Sequence, residues 1–585
     1  MSLSDSVSTP ARLTATATVK LPRLALLGVG LIYILAGLFF RDPWKTDDVV
    51  GLAAMLTTLH EGGVTWLLPQ IGTFAHAQDG PLSTWVGALC IWAFGPFFKL
   101  FTGDTLDAAI IASRLPNFLW FGLMTASVWY GSYLLGRRPE PQPLALPFGG
   151  EPTVQNYGRM IADAALLLIV ATVGIVWRMH ETSEVPAIIA FQALAFYSVA
   201  RMLDHPASGA TTLGLALAAA FLTRGWIGAL PIMLAIPCIF TPRSPLWREK
   251  KWLIVTATLC TALILLWWIP ARQLGTYWTQ SWIVWNTSSF TWPDYHEVLS
   301  IFRDLPWFLW PTWPLALVAI WQWRGWLSAP HIRIPLMFAL WPLVTMMFLV
   351  DAFEPEYSLM AIPAAVLAAF ALPTLRRGFV NSLDWFAVMC YTLTSATVWL
   401  GWIALQTGWP EKISHNIARQ TRGYDVYISW PAVIIALFGT LAWLALVRWR
   451  LHSKPAGLWR GTVLSAGGLI VTWLLLVTLW MPALDYVRSY RTVSGQLAHV
   501  LQENLPPGEC VRAHGLGAGQ RASFLVFNNI NFSYDSHCAL VLQQTNPDSL
   551  KDGSAAYSDT GTVLWIGKRG ADRHEVFRLL RLREP

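Results

Sequence analysis

Charged residues are scarce in this chain. Asp, Glu, Lys and Arg make up 13% of its 585 residues, whereas an ordinary soluble protein carries about 25%. Hydrophobic residues reach 55% and the mean hydropathy is +0.45, which excludes a single water-soluble core. The net charge of +7 does not indicate a nucleic-acid partner, because Lys and Arg lie in short clusters between apolar runs. Such clusters mark the cytoplasmic loops of membrane proteins.

Cysteine is also scarce, with six residues and no CxxC pair or Cys/His cluster, so no structural zinc site is indicated. We predict no certain cofactor, and a divalent cation stays open. Cys510 and Cys538 lie in a polar segment. If that segment is in an oxidising compartment, we predict a disulfide between them, the alternative being two buried thiols. The stretch 1–20 lacks a cleavage signal, so the first apolar run is predicted to be a retained span.

Apolar runs dominate the sequence. A helix of roughly 20 apolar residues crosses a bilayer, and the sequence predicts about 13 such spans, of which the fifth and sixth are short. They are 22–40, 110–135, 159–177, 186–202, 209–223, 225–240, 252–270, 305–323, 334–350, 357–375, 382–405, 429–448 and 462–481. Phe94-Gly95-Pro96 interrupts a further run, 82–101, so we predict a helix along the membrane interface there. The alternative is that it spans.

The basic clusters predict the orientation, because loops rich in Lys and Arg stay in the cytoplasm. One side of the predicted bundle holds Lys20, Arg23, Arg137, Arg138, Arg243, Arg248, Lys250, Lys251, Arg324, Arg333, Arg376, Arg377, Arg448, Arg450, Lys454 and Arg460. The other side holds the segments 41–109, 178–185, 271–304 and 406–428 and the tail. We therefore predict a cytoplasmic N-terminus, a transmembrane domain over 1–484 with the outer loop 41–109, and a non-cytoplasmic domain over 485–585.

The tail changes character after Asp485. Alternating apolar runs predict strands at 522–527 and 562–566, and the patterns near 489–503 and 573–581 predict helices. Together these elements predict a small α/β domain. A glycine-rich stretch at 515–519 is not followed by Lys-Ser/Thr, so it does not indicate a phosphate loop.

The outer loop 41–109 carries the first candidate chemistry. It begins directly after the first span with Asp42, Asp47 and Asp48, and continues to His76 and Asp79. Carboxylates this close to a membrane are costly unless they are solvated, paired or functional. One interpretation is structural, with Asp47 and Asp48 capping a helix over 49–59. The other is that these acids take part in a reaction.

Short motifs across roughly the first 230 residues carry a family resemblance. They are Trp44-Lys45-Thr46-Asp47-Asp48, Gly63-Val64-Thr65-Trp66-Leu67-Leu68-Pro69, Ile71-Gly72, Gln78-Asp79-Gly80-Pro81-Leu82, Arg114-Leu115-Pro116, Glu184-Val185-Pro186 and Leu222-Thr223-Arg224-Gly225. In this order they resemble the C-fold membrane glycosyltransferases, in the branch of lipid A aminoarabinose transferases and protein O-mannosyltransferases. Beyond them, mainly the hydropathy layout agrees.

The resemblance implies an all-α polytopic membrane bundle of the glycosyltransferase C fold, with the small α/β domain in the periplasm. It implies a hexosyl- or pentosyltransferase of the bacterial inner membrane that moves a sugar from a polyprenyl-phosphate donor, based on undecaprenyl phosphate, in one inverting step. The acceptor stays open among lipid A of lipopolysaccharide, another glycolipid, a polysaccharide and a protein.

The candidate site follows from the same motifs. A carboxylate can accept the acceptor's proton or stabilise a cation-like anomeric carbon, and Asp47 is our first candidate and Asp79 the second. Arginines suit the leaving phosphate; Arg272 and Arg303 are added because they lie near the outer ends of predicted spans. The candidate substrate-binding residues are Asp48, His76, Arg114, Glu184, Arg224, Arg272 and Arg303.

The chain also departs from the family pattern. The family's acid–lysine pair is here Asp79-Gly80, and Glu354-Pro355-Glu356-Tyr357 stands where relatives often carry Lys-x-Pro-Tyr. Other functions therefore compete, namely a transporter or flippase and a non-catalytic envelope assembly protein. A transporter would place charges inside spans and often show two similar halves, neither of which the sequence shows. An assembly protein would tolerate replacement of Asp47 and Asp79, and a metal-dependent oligosaccharide transferase would need a larger acidic cluster than Asp47-Asp48.

Overall fold

The computed structural model describes residues 8–582, apart from 19, 146, 148, 453–456, 536, 546–560, 571 and 573–574. Helices dominate it. The first ones are α1 (Arg23–Leu35), α2 (Asp47–Glu61), α3 (Leu82–Thr102), α4 (Thr105–Ser113), α5 (Pro116–Gly136), α6 (Val154–Val170), α7 (Val173–Arg178), α8 (Val185–Met202), α9 (Pro206–Ile239), α10 (Leu253–Leu274), α11 (Thr276–Ser288) and α12 (Tyr295–Phe308). The later ones are α13 (Thr312–Gln322), α14 (Pro330–Met346), α15 (Glu354–Tyr357), α16 (Ala361–Ala371), α17 (Arg377–Thr407), α18 (Glu411–Gln420), α19 (Trp430–His452), α20 (Gly457–Leu475), α21 (Met481–Arg488), α22 (Arg491–Asn504) and α23 (Ala518–Asn528).

Eight helical segments within the described residues are long and apolar enough to cross a membrane. They are Leu82–Thr102, Val185–Met202, Pro206–Ile239, Pro245–Leu274, Glu354–Thr374, Gly378–Thr407, Trp430–His452 and Trp459–Asn504. The chain is therefore a multi-pass membrane protein. More spans are predicted from the sequence because an apolar run can hold short or broken helices. The run 22–40, for example, contains only the 13 residues of α1, and the run 305–323 is divided between α12 and α13.

Two predicted spans, 209–223 and 225–240, are the two halves of α9. The chain reverses between them at Arg224 and Gly225, whose backbone angles are not helical, Gly225 having φ +54°. The halves lie against each other, since a Cβ added to Gly228 would come within 2.7 Å of the Ala220 carbonyl oxygen. Only glycine takes this backbone conformation without strain, and a Cβ at 225 would also collide with Asn286. The reversal therefore fixes where Arg224 lies.

The run 82–101 forms a helix that Pro96 does not interrupt, and its placement along the membrane interface or across the bilayer stays a prediction. Helix α3 continues through Pro96 to Thr102, and proline is tolerated inside membrane helices because their neighbours compensate for the lost hydrogen bond. Trp92, Phe97 and Leu100 on this helix are exposed. These exposed apolar side chains suit contact with lipid.

The tail forms a small α/β unit. A short hairpin, β1 (Gln70–Ile71) with β2 (Phe74–Ala75), precedes it in the outer loop. In the tail, β3 (Val511–His514), β4 (Leu540–Thr545), β5 (Gly561–Gly567) and β6 (Val576–Leu582) form a sheet in the order β3-β4-β6-β5. β3 and β4 are parallel and the other pairs are antiparallel. Apolar residues of α22 and α23 form one core with the sheet.

Two of the four local predictions for the tail are confirmed, the helix at α22 and the strand at β5. The strand predicted at 522–527 is wrong, because these residues lie in α23. This helix is apolar on two sides, Ala522 and Val526 packing with α2 and Phe524 and Phe527 with the sheet, so its period is hidden. The helix predicted near 573–581 is also wrong: 576–581 lie in β6, a strand between two others, and 573–574 are outside the described residues.

The α/β unit is fastened both internally and to the outer loop. A disulfide joins Cys510 and Cys538, which lie just before β3 and β4. Helix α23 packs on α2, and Lys45 Nζ lies 2.6 Å from Glu575 Oε1. The indole nitrogen of Trp44 donates to Asp485 at 2.6 Å. The unit therefore holds the residues at which α2 begins.

Candidate active site

The first candidate acids lie at the start of α2. Thr46 is the residue before the helix, and its side chain accepts a hydrogen bond from the Asp48 amide. Asp47 and Asp48 are thus the first helical residues, where negative charge is favourable, and the cap is Thr46. The Asp47 side chain is 43% exposed and the Asp48 side chain 1%. These neighbours in sequence therefore have different surroundings.

Asp48 is the centre of a buried ion cluster. One of its oxygens lies 2.6 Å from Arg41 Nη1 and 3.6 Å from Arg114 Nη2, and the other accepts the Thr182 amide hydrogen at 2.6 Å. Burial alone would raise the pKa of Asp48, but the two guanidinium groups and the Thr182 amide hold it below its usual range. Arg114 is fully buried and donates to the Arg41 carbonyl oxygen at 2.8 Å. Asp48 and Arg114 therefore face protein, and any contact of theirs with substrate stays a prediction.

Arg224 is the centre of a second cluster. Its guanidinium pairs with Glu184, the residue before α8, and lies 2.7 Å from Glu356 Oε1. Both carboxylates are largely buried, with 9% and 7% of their side chains exposed. The tight reversal of α9 brings Arg224 to them, and Asn286 supports it by accepting the Trp226 amide hydrogen at 3.1 Å.

Asp79 lies beside this second cluster. The next residue, Gly80, donates its amide hydrogen to the Thr223 carbonyl oxygen at 3.0 Å, which holds the outer loop against the turn of α9. His76 Nε2 is 3.3 Å from Asp79 Oδ2. The pKa of Glu184 is raised by burial and then by the negative charges of Asp79 and Asp47, against the effect of Arg224. Both candidate catalytic acids are therefore within electrostatic reach of Glu184.

Arg178 links Asp47 to further carboxylates. Its guanidinium lies 2.8 Å from Glu181, 3.4 Å from Asp47 and 2.8 Å from Glu354. Glu181 also accepts a hydrogen bond from the Trp177 indole at 2.8 Å. Burial raises the pKa of Glu181 to about 7, with the charges of Asp48 and Asp47 adding to the rise and Arg178 opposing it. We call Arg178, Arg224, Asp47, Asp79, Glu181, Glu184, Glu354 and Glu356 the open cluster.

A cavity of about 940 Å³ adjoins this cluster. Its charged lining residues are Arg178, Glu181, Asp304, Glu354 and Arg488. Its walls are mostly apolar and include Val173, Trp307, Phe308, Trp310, Tyr391, Leu469, Trp473, Leu476 and Val477. The mostly apolar walls, together with the guanidinium groups of Arg178 and Arg488, suit an amphiphile that has an anionic group and a long apolar chain.

Indole groups fix the outer loop that carries His76 and Asp79. The indole of Trp267 donates to the Leu67 carbonyl oxygen at 3.0 Å, and that of Trp278 to the Pro69 carbonyl oxygen at 2.9 Å. Trp267 and Trp282 are each only 3% exposed, so both indoles pack inside the protein. The sequence cannot tell a buried tryptophan from an interfacial one.

The remaining predicted residues lie outside the cluster. Arg272, in the last turn of α10, is exposed. Arg303 is 71% exposed and pairs with its neighbour Asp304 at 2.7 Å. Their contact with a phosphate stays a prediction. No group of three or more His, Cys, Asp or Glu side chains is arranged to hold a metal ion in the part of the chain that the structure describes.

Sequence reasoning missed Arg178, Glu181 and Arg41 as members of the two ion clusters. Arg178 and Glu181 lie three residues apart in a short segment between predicted spans, and an ion pair at that spacing is common. That spacing was the available signal. Glu356 was noted only as a departure from the family pattern, and its pairing with Arg224 depends on a contact between α9 and α15 that no local pattern shows.

The fold matches known structures along nearly its whole length. ArnT from Cupriavidus metallidurans bound to undecaprenyl phosphate superposes with a TM-score of 0.63, at 14% identity, over 95% of this chain and 97% of that one. The apo state of the same protein gives a TM-score of 0.61 at 14% identity over the same shares. The resemblance to the C-fold membrane glycosyltransferases predicted from the sequence is thereby confirmed for the fold.

A more distant structure is the apo oligosaccharyltransferase of Archaeoglobus fulgidus, with a TM-score of 0.39 and 10% identity over 87% of this chain and 64% of that one. No family model matches the sequence, and no curated protein matches it.

Proposed function

We propose that this protein is a membrane glycosyltransferase that moves one sugar from a polyprenyl-phosphate donor to an acceptor of the bacterial envelope, at the periplasmic face. The observation that carries the proposal is the pairing of an apolar cavity with the open cluster. Arg178 lines that cavity, and its guanidinium lies 3.4 Å from the carboxylate of the half-exposed Asp47. A structure of the same fold contains undecaprenyl phosphate.

The donor would lie with its phosphate at Arg178 and its prenyl chain along the apolar walls. A guanidinium forms paired hydrogen bonds with phosphate oxygens, and Arg488 adds a second positive charge to the cavity lining. Glu354 is 58% exposed, so its contact with Arg178 can be exchanged for the phosphate at modest cost. Glu181 remains bound and keeps the guanidinium in place.

The transfer would then take place beside Asp47. The acceptor oxygen attacks the anomeric carbon, the bond from that carbon to the phosphate oxygen breaks, and its electron pair leaves with the lipid phosphate. Asp47 accepts the proton of a hydroxyl acceptor, or stabilises the positive charge that develops at the anomeric carbon. Asp79, near Glu184 and Arg224, would orient the acceptor or the sugar.

The periplasmic orientation rests on the Lys/Arg asymmetry of the loops. A phosphatase that is active only in the periplasm, fused after Arg491, should be active, and a reporter that is active only in the cytoplasm should be silent there. The reverse pattern would contradict both the orientation and the odd number of spans behind it.

The function is tested with purified protein, a panel of polyprenyl-phosphate sugars and envelope fractions. Mass spectrometry should detect one lipid, glycan or protein that gains the mass of one sugar, together with release of the polyprenyl phosphate. Asp47→Asn should abolish most of this transfer. Glu61→Gln, at the exposed other end of α2, is the matched control and should keep it. Movement of the donor across vesicle membranes without any transfer would support a flippase instead, and unaltered transfer by Asp47→Asn would exclude the assigned mechanism.

A further inference from the structure

A second cavity, with a polar lining, lies at the opposite end of the bundle from the open cluster. Its volume is about 790 Å³. Helices α13 and α16 pack side by side and run from one cavity to the other. Trp310 and Tyr357, which precede these helices, line the active-site cavity. Gln322 at the end of α13 and Thr374 after α16 line the second cavity. Each helix has 11 residues, which rise about 16 Å. The two cavities are therefore separated by the length of these helices.

Three arginines from three separate segments line the second cavity, which we call the arginine cavity. Arg12 belongs to the segment before α1, Arg324 follows α13, and Arg376 precedes α17. The Arg12 amide donates to the Pro373 carbonyl oxygen at 3.1 Å, and the Trp323 indole donates to the Phe370 carbonyl oxygen at 3.0 Å. These bonds hold the three segments together, so the arginines converge through the fold.

The charge of the arginine cavity is not neutralised by its described residues. Its other lining residues are Ser8, Thr9, Pro10, Gln322, Gly325, Trp326, Pro373, Thr374 and Leu375, and none is acidic. The three arginine side chains are exposed. Hydroxyl and amide groups beside them supply further donors, as in sites that bind phosphate.

The residues beside the arginine cavity indicate that it lies at the membrane interface, where a lipid can reach it. Trp321 is 68% exposed at the same end of α13, and the Arg324 guanidinium lies 5.0 Å from the centre of its ring. Exposed tryptophan and arginine lie where the headgroups of a bilayer meet its acyl region. Basic pockets between helices at this level bind the headgroups of anionic lipids.

We propose that the arginine cavity binds a phosphate group, that of an anionic phospholipid in the leaflet opposite the active site. Arg12, Arg324 and Arg376 together contact the phosphate oxygens, and the acyl chains lie along the outer faces of the neighbouring helices. The site does not depend on the proposed transferase function, because it lies at the other end of the bundle and uses none of the residues assigned to that reaction.

Native mass spectrometry of the full chain in detergent tests the site with single lipids. Phosphatidylglycerol should bind the wild type more tightly than phosphatidylcholine, which carries no net charge. The variant R12Q/R324Q/R376Q should bind phosphatidylglycerol about tenfold or more weakly, because it loses the charge-assisted hydrogen bonds. The control R243Q/R248Q/K250Q removes the same charge from exposed residues elsewhere on the basic side and should bind it like the wild type.

Equal losses in the two triple variants would show a general charge effect and overturn the site, as would equal binding of the two lipids by the wild type. Inorganic phosphate separates the two sources of the anion. Inorganic phosphate that displaces phosphatidylglycerol from the wild type, and binds at least as tightly as this lipid, would show that the ligand is a soluble anion. This result would exclude the lipid. If the triple variant does not purify, the single variants R12Q, R324Q and R376Q, each at an exposed residue, carry the same comparison.

Discussion

Asp47 and Asp48 are adjacent in the sequence, and the structure gives them opposite surroundings. Asp48 is buried between Arg41 and Arg114, and a backbone amide occupies its second oxygen. Asp47 is half-exposed, and the Arg178 guanidinium lies 3.4 Å from its carboxylate. Both belong to clusters of arginine and carboxylate, and the cluster of Asp47 adjoins a large cavity.

The two clusters also differ in the balance of charge. The cluster around Asp48 has two arginines and one carboxylate, all inside protein, and such an arrangement fixes a structure. The open cluster has two arginines and six carboxylates, several of them exposed or with a raised pKa. Partly exposed carboxylates with a raised pKa beside a cavity are the arrangement expected where acid–base groups take part in a reaction.

The largest effect is expected for Asp48→Asn. Asparagine keeps the shape and can accept the Thr182 amide hydrogen, but it removes the charge that compensates two buried guanidinium groups. Removing one partner of a buried ion pair costs about 3–5 kcal/mol, so the yield of folded protein and its thermal unfolding temperature in detergent should fall sharply. An Asp48→Asn protein that unfolds like the wild type but has lost transfer would contradict the structural assignment and place Asp48 in the reaction.

Asp47→Asn should give the reverse result. The side chain is partly solvated and Thr46 supplies the helix cap, so insertion and thermal unfolding should be unchanged. Transfer from a saturating donor should fall by ~10²-fold or more, as for the loss of a positioned general base. The control is Glu61→Gln at the exposed end of α2. Asp42, the other acid near Asp47, is unsuitable as a control because it forms an ion pair with Arg491 at 2.6 Å, which its replacement would break. Turnover like the wild type would remove Asp47 from the mechanism.

A double variant tests whether Asp47 and Asp79 serve one site. Asp79→Asn alone should also lower transfer, since the bond from the Gly80 amide to the Thr223 carbonyl oxygen holds Asp79 beside Arg224, where we propose that it orients the acceptor or the sugar. If they act on one bound substrate, the variant with both changes should lose less than the product of the two single losses, because groups that act as a unit are not additive. Losses that multiply would show that the two acids act independently.

The sequence predicted much of this arrangement, and its failures have physical causes. The long apolar runs identify the membrane bundle, and the motifs identify Asp47, Asp79, Glu184 and Arg224 as candidates. Which aspartate is buried could not be predicted, because Arg41 and Arg114 reach Asp48 from different segments. Whether two short apolar runs form one long helix or a reversal depends on Gly225, whose backbone angle is a tertiary property.

The tail shows the same limit at the level of secondary structure. A helix that is buried on two sides loses the 3.6-residue period of apolar residues that would reveal it. A strand with neighbours on both edges loses the alternation of polar and apolar residues. For this reason α23 was predicted as a strand and β6 as a helix. The contacts of this unit with Trp44 and Lys45 were equally invisible, since they join residues more than 400 positions apart.

The smallest expected effect is a pH dependence that arises from Glu181. It tests whether the charge of this carboxyl changes the stability of the protein and the binding of the donor. The pKa of this carboxyl is raised to about 7 from an ordinary 4.5. Between these two pH values the folded state therefore binds more protons than the unfolded state. Its contribution to stability is therefore present in full below pH 4.5 and is lost as the pH rises to about 7.

The same proton should change donor binding. Protonated Glu181 leaves Arg178 more available to a phosphate, so the KM for the donor should rise severalfold between pH 6 and 8 in the wild type. Glu181→Gln imitates the protonated state and should show a flatter profile in both the donor KM and the unfolding temperature. Glu61→Gln should keep the slope of the wild type. An unchanged slope in Glu181→Gln would show that the pH dependence does not come from this carboxyl and would leave Glu181 with a structural role.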